Sequence, residues 1–392
     1  MSAAIGLRDA GWSPVIVERA TERRTGGYFV MLFDAGKEAA EKLGVLQSIG
    51  IEDRALRRNR TWGLDSSGNR HRSGGFLDDT KKPSGVIRSD IEAALWQSVQ
   101  GTVEVRFGTV PISISEAGEE AIVVLRDMAT GTETSEGFDL VIGADGLRSS
   151  VRQMVFGTHE EFMQSWDSII CAFQLSEQVP GFDDGDGIVA AEVDRSLWIF
   201  PFENHAPTAL FSFRTKELEA NFRDTPATTL RRVFEGLDHT AIHHALDQLE
   251  QTEFSLYDSV HQVVMPRWRK GRVLLLGDSA WCLTLYSGMG ASSALRGGAL
   301  LGEYLRNSPD GDAAALDRWE ADMRAFVGKV IAPARFKYQI FVPSNHLTKF
   351  LRDMLLRVSG YFIGRSERRM AEKEADGAHH ATKEVDCSKA NV

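Results

Sequence analysis

The chain has 392 residues, enough for one to three domains, and its 43% hydrophobic and 26% charged residues are ordinary for a globular enzyme. A formal net charge of −10, without a Lys/Arg cluster interleaved with aromatic residues, excludes a nucleic-acid-binding surface. The three cysteines lack metal-ligand spacing and are too few for a disulfide framework, which favours a reducing compartment and no metal site. Without a signal peptide or a long apolar run, the sequence predicts a cytoplasmic protein that has no transmembrane span.

The chain begins with a helical pattern and a short strand. Small and apolar residues share one helix face over residues 3–10, and residues 14–18 (PVIVE) are typical of a buried strand that ends in an acid. In a dinucleotide-binding βαβ unit such an acid, here Glu18, binds a ribose hydroxyl about 20 residues after a glycine-rich turn. Counting back from Glu18 passes Met1. We therefore expect either a start assigned at an internal methionine or a chain without the main pyrophosphate cradle.

A basic loop and a helix start follow the first strand. Residues 23–27 combine two arginines with two glycines, and residues 54–84 are polar and glycine-rich, which is typical of a hairpin with loops. Arg88 directly precedes Ser89 and Asp90, either of which can cap the next helix. An arginine at a helix N-terminus gains nothing from the helix dipole, so we favour a ligand role for Arg88 over a surface ion pair.

Two apolar strands each end in an acidic glycine turn. The first reads FDLVIGADG over residues 138–146, and the second, VLLLGD, ends at Asp278 and is followed by a glycine turn and a helical pattern. A carboxylate in such a turn can accept a hydrogen bond from a sugar-like hydroxyl. The backbone N–H groups near Gly288 and Gly290 can bind negative charge, helped by the helix dipole. The second strand, its acidic turn, the glycine turn and the helix start together predict a site for a polyhydroxylated, anionic ligand.

In order and spacing, the two turns resemble the distal fingerprints of the FAD-dependent aromatic hydroxylases, the p-hydroxybenzoate hydroxylase class of flavoprotein monooxygenases. The resemblance covers most of the chain. It implies an α/β fold with a Rossmann-like FAD-binding domain lacking its first strand, a mixed or antiparallel β-sheet substrate domain, and C-terminal helices. Together, the resemblance and the patterns described above give one set of candidate cofactor-binding residues. These are Glu18, Arg24, Arg88, Asp145, Asp278, Gly288, Gly290 and Ala291.

The resemblance also implies the chemistry. FAD reduced by NADH or NADPH would react with dioxygen, and the resulting flavin hydroperoxide would oxygenate a small aromatic or polyketide-like substrate. The flavin carries the reaction, so no catalytic side chain is assigned. The segment 165–215 and Gly26-Gly27 are also similar to the tetracycline-inactivating branch of the family. We expect a monomer or a homodimer.

From about residue 162 the pattern changes to β-type runs without intervening helices, which predicts an antiparallel or mixed sheet. Its aromatic residues are candidates to line the substrate pocket, although strand alternation allows only one parity in each run to face it. These candidates are Trp198, Phe200, Phe211 and Phe213. The domains that we predict are an FAD-binding domain formed by residues 1–165 (with a hairpin insertion near 54–84) and 265–310, a substrate-binding sheet domain over 166–264, C-terminal helices over 311–365 and a disordered tail over 366–392.

The region 341–362 is apolar enough for a helix that lies on a membrane surface. Its internal Pro343, Asn345, Asp353 and Gly360 favour ordinary packing at the C-terminus instead.

Three departures from the family pattern lie near the second acidic turn. Trp281 stands where the family usually has His, and Thr284-Leu285 stands in the place of one or two prolines, so this loop is less rigid or differently shaped. Arg296-Gly297-Gly298 lies where the family often has an acidic residue. Two alternatives therefore remain: a truncated relative that binds a small molecule without flavin turnover, and a flavin reductase or halogenase, although no Trp-x-Trp-x-Ile-Pro pattern is present.

Overall fold

A computed structural model describes residues 1–23, 26–50, 60–75, 84–202, 205–306, 308 and 313–365. The helices found there are α1 (Ser2–Asp9), α2 (Asp34–Lys42), α3 (Arg88–Val99), α4 (Ser150–Val155), α5 (His159–Phe162), α6 (Pro226–Val233), α7 (Thr240–Gln251), α8 (Asp278–Trp281), α9 (Gly290–Leu305), α10 (Ala313–Ile331), α11 (Ala334–Phe341) and α12 (346–365). The strands found there are β1 (Val15–Val17), β2 (Phe29–Leu32), β3 (Arg60–Leu64), β4 (Arg70–Ser73), β5 (Ser84–Ile87), β6 (Glu104–Arg106), β7 (Thr109–Ala117), β8 (Glu120–Asp127), β9 (Glu133–Phe138), β10 (Val141–Gly143), β11 (Met163–Gln174), β12 (Asp186–Glu192), β13 (Arg195–Phe202), β14 (His205–Arg214), β15 (Leu256–Val263), β16 (Arg269–Lys270) and β17 (Val273–Leu275).

Parallel strand pairs confirm the α/β class. β1 pairs with β6, and β10 pairs with β17, each in parallel, while β16 adds to β17 as an antiparallel neighbour. Parallel pairs need long crossover connections, which here carry helices. β7, β8 and β9 form a separate antiparallel meander.

A larger mixed sheet has the strand order β15-β11-β14-β13-β12-β3-β4 in the described chain. All its neighbours are antiparallel except β12 and β3, which run in parallel with Ile188 beside Trp62. The mixed sheet of the predicted fold is thus confirmed. Hairpin β3–β4, which the sequence analysis assigned to the first domain, forms the edge of this sheet.

The two faces of the larger sheet bury different clusters, because successive side chains of a strand point to opposite faces. One face packs beneath α6 and α7 and includes Phe173, Phe211 and Phe213. The other face carries Trp166, Trp198, Phe200 and Leu210 and packs against β2, α11 and the loop before α9. We call these four side chains, three of which are aromatic, the aromatic face.

Helix α1 lies against α9 through glycines. A Cβ at Gly302 would overlap the backbone of Gly6, and a Cβ at Gly298 would overlap Ser2. A Cβ at Gly297 would stand 3.0 Å from the ring of Trp281, which is fully buried. Close approach of the α1 backbone therefore explains Gly298, and the buried ring of Trp281 explains Gly297, the two glycines at which the sequence departs from the family pattern.

The C-terminal helices cover one edge of the larger sheet. The Gly74 N–H donates to the Leu356 carbonyl over 2.8 Å, and a Cβ at Gly360 would meet the Arg72 carbonyl oxygen at 2.7 Å. α12 thus packs closely on β4. A search of the described ranges finds no helix long and apolar enough to cross a membrane.

Candidate functional site

Parallel pairing brings the two acidic turns together. Val141 aligns with Val273 and Gly143 with Leu275, so both strands end at the same edge. Past this edge the Leu276 N–H and the Ser279 hydroxyl donate to the Gly143 carbonyl over 2.9 and 2.5 Å. The two fingerprints, more than a hundred residues apart in the chain, thus form one continuous structure.

A buried arginine fastens the turns to each other. Arg152 has no exposed surface, and its guanidinium donates to the carbonyls of Ser279 and Leu147 over 2.9 and 2.6 Å and contacts His159 Nδ1 at 3.0 Å. Burial lowers the pKa of Arg152, and the nearby Asp145 carboxylate partly offsets that effect. Arg152 therefore positions the site.

Asp145 uses its carboxylate to cap the following helix. Its oxygens accept hydrogen bonds from the hydroxyls of Ser149 and Ser150, over 2.5 and 3.0 Å, and from the Val151 N–H over 3.0 Å. Such bonds satisfy donor groups that would lack partners at the start of α4. A contact between Asp145 and a cofactor stays a prediction.

Asp278, Arg88 and Tyr28 form the charged part of the site. Asp278 begins α8 and keeps exposed surface although the protein surrounds it closely, as at the floor of a recess. Loss of hydration raises the pKa of the Asp278 carboxyl, while a hydrogen bond with Cys282 and the charge of Arg88 act in the opposite direction. Arg88 is exposed, and its backbone N–H donates to the backbone carbonyl of Tyr28 over 3.1 Å. The structure thus brings these two predicted residues, Asp278 and Arg88, near each other.

Tyr28 was missed by the sequence analysis, because a tyrosine before a short strand carries no distinctive pattern. Burial raises the pKa of its phenol; Arg88 opposes this rise, and Asp278 adds to it. A phenol with a raised pKa stays protonated at neutral pH and can donate a hydrogen bond into the recess.

The glycine turn opens the N-terminus of α9. Gly288 adopts a φ of +70°, which favours glycine, and Gly290 begins the sixteen-residue helix, with Ala291 second. A Cβ at Gly290 would meet nothing within 4 Å, so the approach to this end is open. The first N–H groups of a helix have no partner inside it and lie at the positive end of its dipole. This end of α9 can bind an anion.

Tyr286 anchors the loop that leads to this turn. Its side chain is almost completely buried, and its hydroxyl contacts the hydroxyls of Ser168 and Ser212 at 2.9 and 2.7 Å. Its ring packs against Tyr338 with 4.5 Å between the centroids. The loop without the family's prolines is therefore held by side-chain contacts. The sequence analysis missed Tyr286 because both serines are distant in the chain.

Lys337 reaches the same loop from α11. Its amine donates to the Ser287 carbonyl over 3.1 Å, and burial lowers its pKa. The C-terminal helices therefore contribute a cation beside the glycine turn, a contact that no local pattern predicts.

The remaining predicted cofactor residues lie at the end of β1 and in the basic loop. Glu18 is exposed and accepts the Ala20 N–H over 2.8 Å, so a ribose contact stays a prediction. Arg24 lies outside the described residues. Its neighbour Arg23 forms a two-point ion pair with Glu92, at 2.9 and 2.6 Å, and is therefore held on the surface of α3.

The four predicted substrate residues divide between the two faces of the larger sheet. Trp198 and Phe200 belong to the aromatic face, and Phe200 stacks on Phe29 of β2 with 5.1 Å between the ring centroids. Phe211 and Phe213 lie on the opposite face, beneath α6 and α7, so as pocket-lining candidates they are corrected to core residues. The reason is strand alternation: Leu197 and Arg195, which pair with them, also point away from Trp198.

A small concave site adjoins the aromatic face. The residues that line it come from β3, β12 and β13 and include Thr61, Gly187, Val189, Trp198, Phe200 and Pro201. The space has room for about one water molecule, so an aromatic compound could enter only if the surrounding side chains moved.

Comparison with known proteins extends these observations. A model of a family described as FAD binding domain matches residues 1–334. An uncharacterized protein of Mycobacterium tuberculosis is 28% identical over 348 residues, which cover 83% of this chain and 87% of that protein. A flavin-dependent monooxygenase of Legionella longbeachae is 26% identical over 352 residues, covering 88% of this chain and 86% of the relative.

Solved structures show the same fold. HpxO of Klebsiella pneumoniae complexed with FAD and uric acid has a TM-score of 0.75 at 20% identity, covering 93% of this chain and 92% of that one. The tetracycline destructase Tet(51) has a TM-score of 0.72 at 23% identity, with coverage of 92% and 94%.

Proposed function

We propose that this chain, which belongs to the FAD binding domain family and is an FAD-dependent monooxygenase, oxygenates a small aromatic or polyketide-like compound bound against its aromatic face. The observation that carries the proposal is the stack of Phe200 on Phe29. β2 starts at Phe29, directly after Tyr28 in the charged recess, and so connects the aromatic face to the site built from the two acidic turns.

The groups of the recess fit FAD. The open N-terminus of α9 suits a pyrophosphate, Arg88 supplies a positive charge, and the Asp278 carboxylate can accept hydrogen bonds from hydroxyls of the cofactor. When bound, FAD supplies the redox chemistry that activates dioxygen, with NADH or NADPH as the electron donor of the family. Glu18, Arg24 and Asp145 complete the proposed cofactor contacts.

On the substrate side, the chain orients the reactant and excludes water. Trp198 and Phe200 are buried and stack on each other with 6.2 Å between the ring centroids, so the proposed substrate would lie at the edge of this stack, beside Thr61, Gly187 and Pro201. Tyr286 and Lys337 hold the glycine turn in place between sheet and recess. Exclusion of water by these side chains would favour oxygen transfer over side reactions with water.

The compounds associated with the structural neighbours support the substrate class. Uric acid, bound in HpxO, is a flat heteroaromatic compound, and the tetracyclines after which the destructase is named contain an aromatic ring in a polyketide skeleton. A first panel therefore contains simple phenols, hydroxylated heteroaromatics with uric acid, and a tetracycline. A compound that stimulates NADH or NADPH oxidation identifies the class. If no phenol, heteroaromatic or polyketide does so, the proposal fails.

Matched substitutions on the two sheet faces test the placement. We expect Phe200→Leu to raise KM for the active compound by about two- to tenfold, because an aromatic contact is worth about 0.5–1.5 kcal/mol. Phe211→Leu makes the same change on the opposite face and should lower stability while KM stays unchanged. Equal effects on KM would contradict the assignment of the aromatic face. The measurement is steady-state NAD(P)H oxidation, with thermal unfolding as the control for folding.

We also infer a cytoplasmic protein, either monomeric or homodimeric. Among the described residues, Cys171 and Cys282 are free and buried, which is consistent with a reducing compartment. Burial raises the pKa of the Cys171 thiol to about 12, so this thiol stays protonated and unreactive.

A further inference from the structure

The C-terminal segment 333–365 has a charge opposite to that of the whole chain. It contains six arginines and lysines and one acid, Asp353, for a net charge of +5, whereas the full sequence carries −10. Asp353 is paired with Lys349 and Arg352 at 3.0 and 2.6 Å. Arg352 is buried and Lys349 also pairs with Glu192 at 3.6 Å, so the exposed positive charge of the segment is that of Arg335, Arg357 and Arg365.

Helix α12 exposes large apolar side chains along one face. They recur every three or four residues, the spacing of one helix face, and each is between 46% and 66% exposed. They are Leu347, Phe350, Leu351, Met354, Leu355, Val358, Tyr361 and Phe362. We call these eight residues the α12 apolar face. Exposed contiguous apolar surface marks a site of contact with a protein or a membrane.

The opposite side of α12 fixes this orientation. Arg352 is buried, donates to the Ile340 carbonyl over 2.6 Å and lies 5.7 Å from the ring of Trp198. Gly360 packs against the backbone of β4. Rotating the helix to bury its apolar face would therefore break these contacts. The ordinary packing that the sequence analysis favoured accounts for only one side of α12.

Charge distinguishes between the possible partners. Arg357 and Arg365 are the charged residues exposed beside the α12 apolar face in the described part of 345–365. Two copies packed through this face would bring Arg357 and Arg365 of one copy close to those of the other, while Asp353, the acid of α12, is already paired. The sequence after residue 365 is highly charged and contains too few large apolar residues to cover the eight side chains of the α12 apolar face. An anionic lipid surface matches both the apolar face and its charge.

We propose that the α12 apolar face binds an anionic membrane surface, with the helix lying in the interface. The apolar side chains enter the boundary between headgroups and acyl chains, and Arg357 and Arg365 contact lipid phosphates. The remaining acidic protein is repelled by the same lipids, which fixes its orientation. Because α12 also contacts the aromatic face through Arg352, this orientation holds the proposed substrate site beside the membrane.

Vesicle flotation of the full-length, FAD-loaded protein tests the proposal. The probes are vesicles of phosphatidylcholine alone and of phosphatidylcholine with phosphatidylglycerol. We expect the protein to float with the anionic vesicles and to bind the neutral vesicles with roughly one tenth of that affinity or less. Added salt should weaken binding to the anionic vesicles. Failure to float with anionic vesicles, or equal binding to both kinds, would overturn the proposal.

Substitutions separate the apolar and the ionic contributions. Phe350→Gln with Leu355→Gln removes apolar surface without adding charge and should abolish flotation. Arg357→Gln with Arg365→Gln should weaken binding to anionic vesicles by about 25-fold, or fivefold for each charge. Met128→Gln makes the same kind of change at an apolar side chain of similar exposure in the turn after β8, and this variant should bind as the parent does. Flavin absorption and thermal unfolding of every variant report whether it has folded.

Two other outcomes would also overturn the proposal. Loss of flotation by the Met128 variant equal to that of the Phe350/Leu355 variant would show nonspecific adsorption. Light scattering that finds a dimer for the parent chain and a monomer for the Phe350/Leu355 variant would assign the α12 apolar face to a second copy of the chain. Loss of flavin turnover alone would leave the flotation result intact, so this test is independent of the proposed reaction.

Discussion

Single atoms decide the packing of α1 on α9. A Cβ at Gly302 would overlap the Gly6 backbone, so we expect Gly302→Ala to lower the free energy of unfolding by about 1–3 kcal/mol, the usual cost of overpacking. The matched control is Gly328→Ala in α10, where a Cβ meets nothing within 4 Å and should stabilise by about 0.5–1 kcal/mol. Urea unfolding measures both, and a neutral Gly302 variant would contradict the close approach.

At Asp278 we expect protein stability and the proposed cofactor binding to oppose each other. Its pKa is raised in the folded protein, so the native state binds its proton more tightly than the unfolded chain does. The resulting stability is present below the ordinary value of 3.8 and is lost as the pH rises through the raised pKa. Above that range the charged carboxylate destabilises the apoprotein.

Asp278→Asn removes this charge. We expect the variant apoprotein to be more stable than the parent at pH 7, with a difference that shrinks as the pH falls toward 3.8, and we expect weaker FAD binding. Urea unfolding of both apoproteins at several pH values, with a flavin titration, measures these effects. A variant that is less stable at pH 7 would show that the carboxylate has a stabilising partner instead.

At the scale of the element, the N-terminus of α9 carries the cofactor assignment. Gly290→Glu places a carboxylate at the positive end of the helix dipole, where a negative charge is stabilising, so the variant should fold. The new negative charge should repel a phosphate. We expect affinity for FAD to fall by roughly tenfold or more, while Gly290→Ala, which only adds a methyl group in open space, retains it. Flavin fluorescence titration compares the three proteins. Equal affinities would remove α9 from the cofactor site.

Strands that carry their own pattern could be predicted as elements, and those defined by distant partners could not. β10 and β17 are apolar runs ending in acidic glycine turns, a local signal that the chain shows directly. Hairpin β3–β4 joins β12 more than a hundred residues away, and no local feature indicates that pairing. For α12 the spacing indicates a helix with an apolar face, but only its contacts with β4 decide which side meets solvent.

For the whole molecule, the sequence predicted the α/β class and the two acidic turns, but their meeting follows from the parallel pairing of β10 with β17, which the structure adds. The face of each aromatic residue required the register, which separated Trp198 and Phe200 from Phe211 and Phe213. Tyr286 depends on serines 118 and 74 residues away, so its role in holding the loop emerges only from tertiary structure. Contacts distant in the chain, rather than weak local signals, set the limit of prediction.

The central claim is that the protein with bound FAD transfers one oxygen atom from dioxygen to a small aromatic or polyketide-like compound. The most direct test supplies the protein with FAD, NADH or NADPH, the active compound and ¹⁸O₂, and analyses the product by mass spectrometry. We predict a product that carries one ¹⁸O atom for each turnover, and no label when ¹⁸O is supplied only as water. A reaction that consumes the electron donor and releases only hydrogen peroxide, with an unlabelled compound, would contradict the claim.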